Sequence, residues 1–232
     1  MKTIALRLKS LRDRILDAER LHGRPPGSVA LLAVSKTRSA EEIRAARAAG
    51  QLRFGENYLQ EAMVKMDTLA DLDLEWHFIG PIQSNKTREI AARFAWVHSV
   101  DRLKIAQRLS AARPPELPPL NVCIQVNIGD ESSKSGINLA QLPELALEIG
   151  RLPRLKLRGL MTMPRLTEDQ AEQRRQFREL RAGYDRLKAL GYPLDTLSMG
   201  TSMDLEAAIA EGATIVRVGT DVFGERGADR LA

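Results

Sequence analysis

Apolar residues in this chain gather in short runs, and the segments between the runs follow a different period. The runs are VALLAVS, QLRFG, EWHFIG, AWVHSV, NVCIQVN, LKLRGLMTM, DTLSMG and TIVRVG, eight in all. Their length and their β-branched and aromatic content suit strands. Between them apolar positions recur at helical spacing, in EEIRAARAA, YLQEAMVKMDTLA, SNKTREIAARF, DRLKIAQRLSAA, AQLPELALEIGRL, EDQAEQRRQFRELRAGYDRLKAL and MDLEAAIAEG. The first of these helices has a legible start, with Ser39 as N-cap and Glu42 three residues on as its capping-box partner. Ahead of the first strand, Ile4, Leu8, Leu11 and Ile15 form one stripe of a further amphipathic helix.

Strand–helix alternation of this kind predicts an α/β protein with a parallel sheet, either an open doubly wound sheet or a closed (β/α)8 barrel. The strand count favours closure. QLRFG and DTLSMG do not carry the blunting that edge strands need, and the first strand–helix turn, SKTRSAEE, has no G-x-G-x-x-G. The expectation is a single-domain (β/α)8 TIM barrel over residues 1–232, with an additional N-terminal helix. The stretch ARPPELPPL reads as a long loop on the stability face, because a domain cut there would leave two halves of four strands each.

Composition narrows the function classes. At 232 residues, with 44% hydrophobic and 28% charged residues, the chain can bury a sizeable core. No apolar run approaches the ~20 residues that span a bilayer, and charges interrupt the N-terminus too often for a signal peptide. Cys123 is the single cysteine and cannot form an intrachain disulfide, which fits a cytoplasmic address. The net charge of +5 favours anionic partners. Acidic residues accompany the basic ones along most helices, and aromatics make up only 4% of the chain, so neither nucleic acid nor a membrane surface is the expected partner. His22, His77 and His98 lack metal-ligand spacing, and no metal is expected.

In such a barrel, chemistry collects at the C-terminal strand ends. Those positions hold Lys36, Asn57, His77, His98, Gln125, Asn127, Met161, Ser198, Met199, Arg217, Gly219 and Thr220, a polar pocket lining. SMGTSMDLEAA places Gly200 and Ser202 ahead of a helix, and VRVGTDVFG places Gly219 and Thr220 in the next loop. Glycine-freed backbone N–H groups and hydroxyls after strands seven and eight suit a phosphate. The alternative is that the glycines serve turns and Ser202 is only an N-cap. Arg217 falls inside a buried strand, where an unpartnered charge is costly. Either a carboxylate inside the barrel, with Glu56 as the candidate, neutralises it or it faces a ligand. A phosphate cradle combined with a lysine at the first strand end points to an aldehyde-bearing phosphate held as a Schiff base. Pyridoxal 5′-phosphate (PLP) is the obvious molecule.

At these residues the sequence resembles the pyridoxal phosphate homeostasis protein family, the YggS/PROSC type, a single-domain relative of the alanine racemase barrel. AVSKT, FGENYLQE, WHFIGPIQSNK, HSVDRLK, SKSGI, RGLMTMP, DTLSMG and VRVGT with a following VFG match its motifs in order, from about Val29 to Gly224. The resemblance implies Lys36 as the covalent attachment residue and Ser202, Gly219 and Thr220 at the phosphate. It further implies Met199 and Asn57 lining the pocket, Arg217 facing the pyridine nitrogen, and Lys134 near the mouth with a role in cofactor exchange. His77 is either a residue packed beneath the ring or a satisfied core histidine. Thr201 stands where the family usually has methionine, which is expected either to loosen the phosphate loop or to re-hydrogen-bond it.

The same resemblance implies a non-catalytic protein that buffers PLP or passes it to apo-forms of PLP-dependent enzymes, acting in vitamin B6 and amino-acid balance. The alternative is a weak fold-type III enzyme such as an amino-acid racemase. A guanidinium opposite the pyridine nitrogen opposes its protonation and weakens the ring as an electron sink. Related racemases carry a second domain that supplies a tyrosine base across a dimer, whereas only ERGADRLA follows Gly224 here. A monomer without that base is therefore expected.

Overall fold

The computed structural model describes residues 3–129 and 135–225, so Lys134 lies outside the described residues. Eight parallel strands close into a barrel in sequence order: β1 (Ala30–Val34), β2 (Arg53–Glu56), β3 (Glu75–Phe78), β4 (Trp96–Val100), β5 (Leu120–Gln125), β6 (Leu155–Met161), β7 (Thr196–Ser198) and β8 (Ile215–Val218). Closure comes from β1 pairing with β8, in register from Ala30 opposite Ile215 to Ala33 opposite Val218. The surrounding helices are α1 (Ile4–Leu21), α2 (Ala40–Ala48), α3 (Leu59–Thr68), α4 (Thr87–Arg93), α5 (Leu103–Ala112), α6 (Leu142–Gly150), α7 (Gln170–Ala189), α8 (Leu205–Ala210) and α9 (Thr220–Phe223). The expected N-terminal helix buries Leu8, Leu11 and Ile15 and packs against α2, α8 and α9.

Period-two alternation sorts the strand residues into two layers. Leu31, Ala33, Val216 and Val218 join the main core between barrel and helices. Trp96, Cys123 and Met161 form a separate inner cluster. The capping box at Ser39 and Glu42 is present. Arg113 anchors the Pro-rich loop below the barrel, donating to the carbonyls of Ala91 (2.6 Å), Phe94 (2.8 Å) and Pro118 (2.8 Å).

Three local details differ from the sequence reading. Ser84–Lys86 forms a 3-10 turn before α4, and VGTDVFG closes into the short helix α9, too brief for a periodic signal. The N-cap of α8 is Asp204, so Ser202 stands in the loop before the helix and does not cap it. Among the described residues no helix is long and apolar enough to cross a membrane.

Candidate functional site

The β1–β8 register brings the Lys36 turn beside the Gly219 loop, and Arg14 ties the Ser202 loop to the segment that follows Gly219. β1 continues into Ser35, whose N–H donates to the Gly55 carbonyl at 2.9 Å and whose hydroxyl donates to Glu56 Oε1 at 2.6 Å. Lys36 follows, partly buried, and Thr37 then adopts φ 63°. Because β1 and β8 are in register, Val34 and Gly219 are neighbours. A Cβ on Gly219 would sit 3.2 Å from the Val34 carbonyl oxygen, so glycine lets the β8 loop press against the lysine turn. Arg38 adds a second tie, donating to the Gly224 carbonyl, with its guanidinium 5.7 Å from the centre of the Phe223 ring.

The β7 loop is held from two sides. Thr201 donates its N–H and its hydroxyl to Asp204 Oδ1, at 2.6 and 2.8 Å. Thr201 thus makes the hydrogen bonds of the second expectation. Behind the loops, Arg14 of α1 donates to the Ser202 carbonyl (3.0 Å), to Asp221 Oδ2 (2.9 Å) and to Glu206 Oε2 (2.7 Å). One side chain thus bridges the Ser202 loop to the segment that follows Gly219 and Thr220.

Arg217 lies inside the barrel, 3% exposed. It donates to Ser198 Oγ (2.8 Å), the Thr162 carbonyl (2.7 Å) and Met163 Sδ (3.0 Å). Burial pulls its pKa down to about 10. Among the described residues no carboxylate bonds to it directly. Glu56 is instead occupied by Lys65 (2.8 Å) and Ser35, which removes it as the neutralising partner of Arg217.

From Arg217 a buried file of hydrogen bonds runs down the barrel. Ser198 Oγ meets His98 Nδ1, His98 Nε2 meets His77 Nδ1, and His77 Nε2 meets Glu75 Oε1, each at 2.8 Å. Its polarity follows from its ends. Arginine can only donate, and Glu75 is held below the usual carboxylate range, chiefly by its bond from His77. Burial lowers both histidines and keeps them neutral. Hence Ser198 donates to His98, His98 Nε2–H to His77, and His77 Nε2–H to Glu75. His77 also stacks on Trp96 at 5.4 Å, and lies with Glu75 and Arg53 at the lower mouth. It is a satisfied core histidine, away from Lys36.

The remaining predicted residues divide. Asn57 sits at the end of β2 with Oδ1 buried and without a hydrogen-bond partner among the described residues. Its turn passes so close to Gly80 that a Cβ there would be 2.1 Å from the Asn57 carbonyl oxygen. The Met199 side chain is fully buried in the main core, leaving only its backbone to line a pocket. The sequence reading missed Arg14, Lys65, Glu61 and Asp204 as supports of the site. Glu61 and Lys65 are visible as an i,i+4 pair, but nothing in that spacing reveals that the pair points inward beneath a strand end.

An amine, two glycine-bearing loops and, among the described residues, a buried cation with no carboxylate bonded to it and an amide oxygen without a partner form a set that fits a phosphorylated pyridine aldehyde. Comparisons with known proteins agree with the architecture. The family described as "Alanine racemase, N-terminal domain" matches residues 6–227. The pyridoxal phosphate homeostasis protein of Pseudomonas aeruginosa is 59% identical over 226 residues, covering 97% of each chain. That of Escherichia coli K12 is 52% identical over 229 residues, covering 97% of this chain and 98% of the relative. The structure of PipY from Synechococcus elongatus PCC7942 with PLP bound has a TM-score of 0.85 at 40% identity, covering 96% of this chain and 100% of that one. On identity and coverage of this order, the chain belongs to the pyridoxal phosphate homeostasis protein family, within the alanine racemase N-terminal-domain fold.

Proposed function

We propose that this chain binds PLP reversibly through Lys36 and serves as a carrier in B6 homeostasis rather than as an enzyme. The observation that carries the reading is the β1–β8 register, which seats the Lys36 turn against the Gly219 loop with Arg217 buried beneath. PLP supplies an aldehyde that an amine can capture and a ring able to withdraw electrons. Lys36 Nζ is the capturing amine. Ser202, Gly219 and Thr220 hold the phosphate, Asn57 Oδ1 accepts a hydrogen bond from the ligand, and Arg217 faces the pyridine nitrogen. The solved PipY structure with PLP bound supports PLP as the ligand.

Arg217 disfavours a protonated ring nitrogen, the state that carbanion chemistry uses best. The tyrosines offer little as a catalytic base. Tyr184 donates its hydroxyl to the Leu194 carbonyl at 2.9 Å, Tyr192 packs beside Gly150 and the main core, and Tyr58 is 55% exposed before α3. The reading includes a cytoplasmic monomer whose recipients are apo-forms of PLP enzymes, and a function resting on cofactor release.

The test pairs two measurements on the loaded protein. One follows solvent deuterium exchange at Cα across the amino acids, and the other follows activation of an apo-enzyme on mixing. Transfer without exchange is the expected result. Sustained exchange that is lost in Lys36→Ala would overturn the carrier reading in favour of a racemase-type enzyme.

A further inference from the structure

We infer that Glu56, Glu61 and Lys65 are positioning residues that set the aim of Lys36, an inference that rests on Lys36 being the attachment residue. Lys65, on α3, has a side chain only 7% exposed. Its ammonium donates to the Ser35 carbonyl at 2.6 Å, to Glu56 Oε1 at 2.8 Å and to Glu61 Oε1. Glu61 Oε1 in turn accepts the Thr37 N–H at 2.5 Å. The Ser35 carbonyl belongs to the peptide unit before Lys36, and the Thr37 N–H to the peptide unit after it. Fixing both planes fixes the backbone dihedrals of Lys36 and so the direction in which its side chain leaves the turn.

The turn needs such a hold. Thr37, with φ 63°, is the one non-glycine residue among the described residues in the left-handed region, where a β-branched side chain is disfavoured. Strain of this kind persists only where neighbours over-determine the conformation. Glu61 supplies that constraint through a charge-assisted bond to the strained residue's own N–H.

The triad is also poorly arranged for stability alone. Two carboxylates share one ammonium, and Glu56 Oε2 is buried without a partner among the described residues. An apolar replacement of such a group is often neutral or better for folding. What an apolar trio would lose is the grip on the two peptide units flanking Lys36.

The step this aim serves is a condensation. Lys36 Nζ, as the neutral amine, would add to the aldehyde carbon; a C=N bond replaces the C=O bond, the two amine protons leave with the aldehyde oxygen as water, and no redox partner is needed. Pyridoxine 5′-phosphate, which carries an alcohol in place of the aldehyde, shares the other contacts but cannot condense. The two ligands therefore separate positioning of the amine from building of the pocket.

The experiment measures binding of both ligands, and borohydride trapping of PLP, for wild type, Glu61→Ala and Glu61→Ala with Thr37→Gly. Loss of one charge-assisted bond should weaken PLP capture by about tenfold while pyridoxine 5′-phosphate binding stays within about twofold. Glycine adopts the left-handed conformation without penalty, so Thr37→Gly in the Glu61→Ala background should recover about fivefold. That comparison is made within one background and holds even where Glu61→Ala lowers the melting temperature. Equal losses for both ligands, or no recovery with glycine, would overturn the positioning role. Absence of a trapped adduct in wild type would instead overturn the Lys36 reading and this inference with it.

Discussion

The buried file beneath Arg217 makes a quantitative demand on stability. His98 is fully buried on β4. Facing it are His77 from β3, Ser198 from β7 and Arg217 from β8, with no carboxylate in direct contact among the described residues. Burial first, then the electrostatic influence of His77 and of the Arg217 guanidinium, hold its pKa well below the ordinary histidine value. In the unfolded chain that value is about 6.5. A depressed native pKa means that stability is complete above the unfolded pKa and is lost as pH falls, because the unfolded chain takes up the proton more readily. The loss is at most RT ln(1 + 10^(6.5 − pH)), or about 2 kcal/mol at pH 5, with a slope of up to about 1.2 kcal/mol per pH unit near pH 5.5. His77 adds a smaller share in the same direction, since its bond to Glu75 partly offsets its burial. Urea unfolding followed by circular dichroism between pH 5 and 7.5 measures this directly. His98→Gln should be less stable at pH 7 but lose about 2 kcal/mol less than wild type on going to pH 5. Parallel profiles for the two proteins would refute the neutral, one-directional file.

Further consequences can be checked independently. Arg14→Ala cuts the bridge between the Ser202 and Asp221 segments; each bond is partly exposed, so the affinity for a phosphorylated ligand should fall about three- to tenfold with little change in melting temperature. Unchanged affinity by calorimetry would remove Arg14 from the cradle. Burial pushes the Cys123 thiol up to about 12, so a thiol reagent should label it only in denaturant, and rapid labelling of the native protein at pH 8 would contradict its place inside the barrel. Gly80→Ala drives a Cβ into the Asn57 carbonyl and should cost about 1–3 kcal/mol in urea unfolding. It should also weaken ligand binding, whereas a fully stable variant would place Asn57 elsewhere.

Architecture was legible because strand and helix periods differ and alternate without a break from VALLAVS to TIVRVG. Eight such runs lead to a closed barrel, and strand ends in a barrel point to one face. Lys36, Asn57 and Gly219 could be placed on that face because each follows a strand, and Arg217 because it lies one residue from the end of β8. Depth along the barrel axis was less accessible. His77 is the third residue of β3 and Lys36 lies beyond the end of β1, a difference that puts His77 with Glu75 at the lower mouth. Met199 shows the limit of strand-end reasoning, since the residue after Ser198 turns to the opposite layer. Arg14, Lys65 and Glu61 were hidden for another reason. Their roles come from helices docking behind loops more than 20 residues away in sequence, and no local pattern encodes that approach.

The central claim is that one amine at the end of β1 captures PLP. Reductive trapping tests it most directly: purified protein is mixed with PLP, treated with borohydride, digested and mapped by mass spectrometry. The account predicts a single adduct on Lys36 that disappears in Lys36→Ala and is suppressed by excess pyridoxine 5′-phosphate. An adduct spread over surface lysines, or one that persists undiminished in Lys36→Ala, would contradict it.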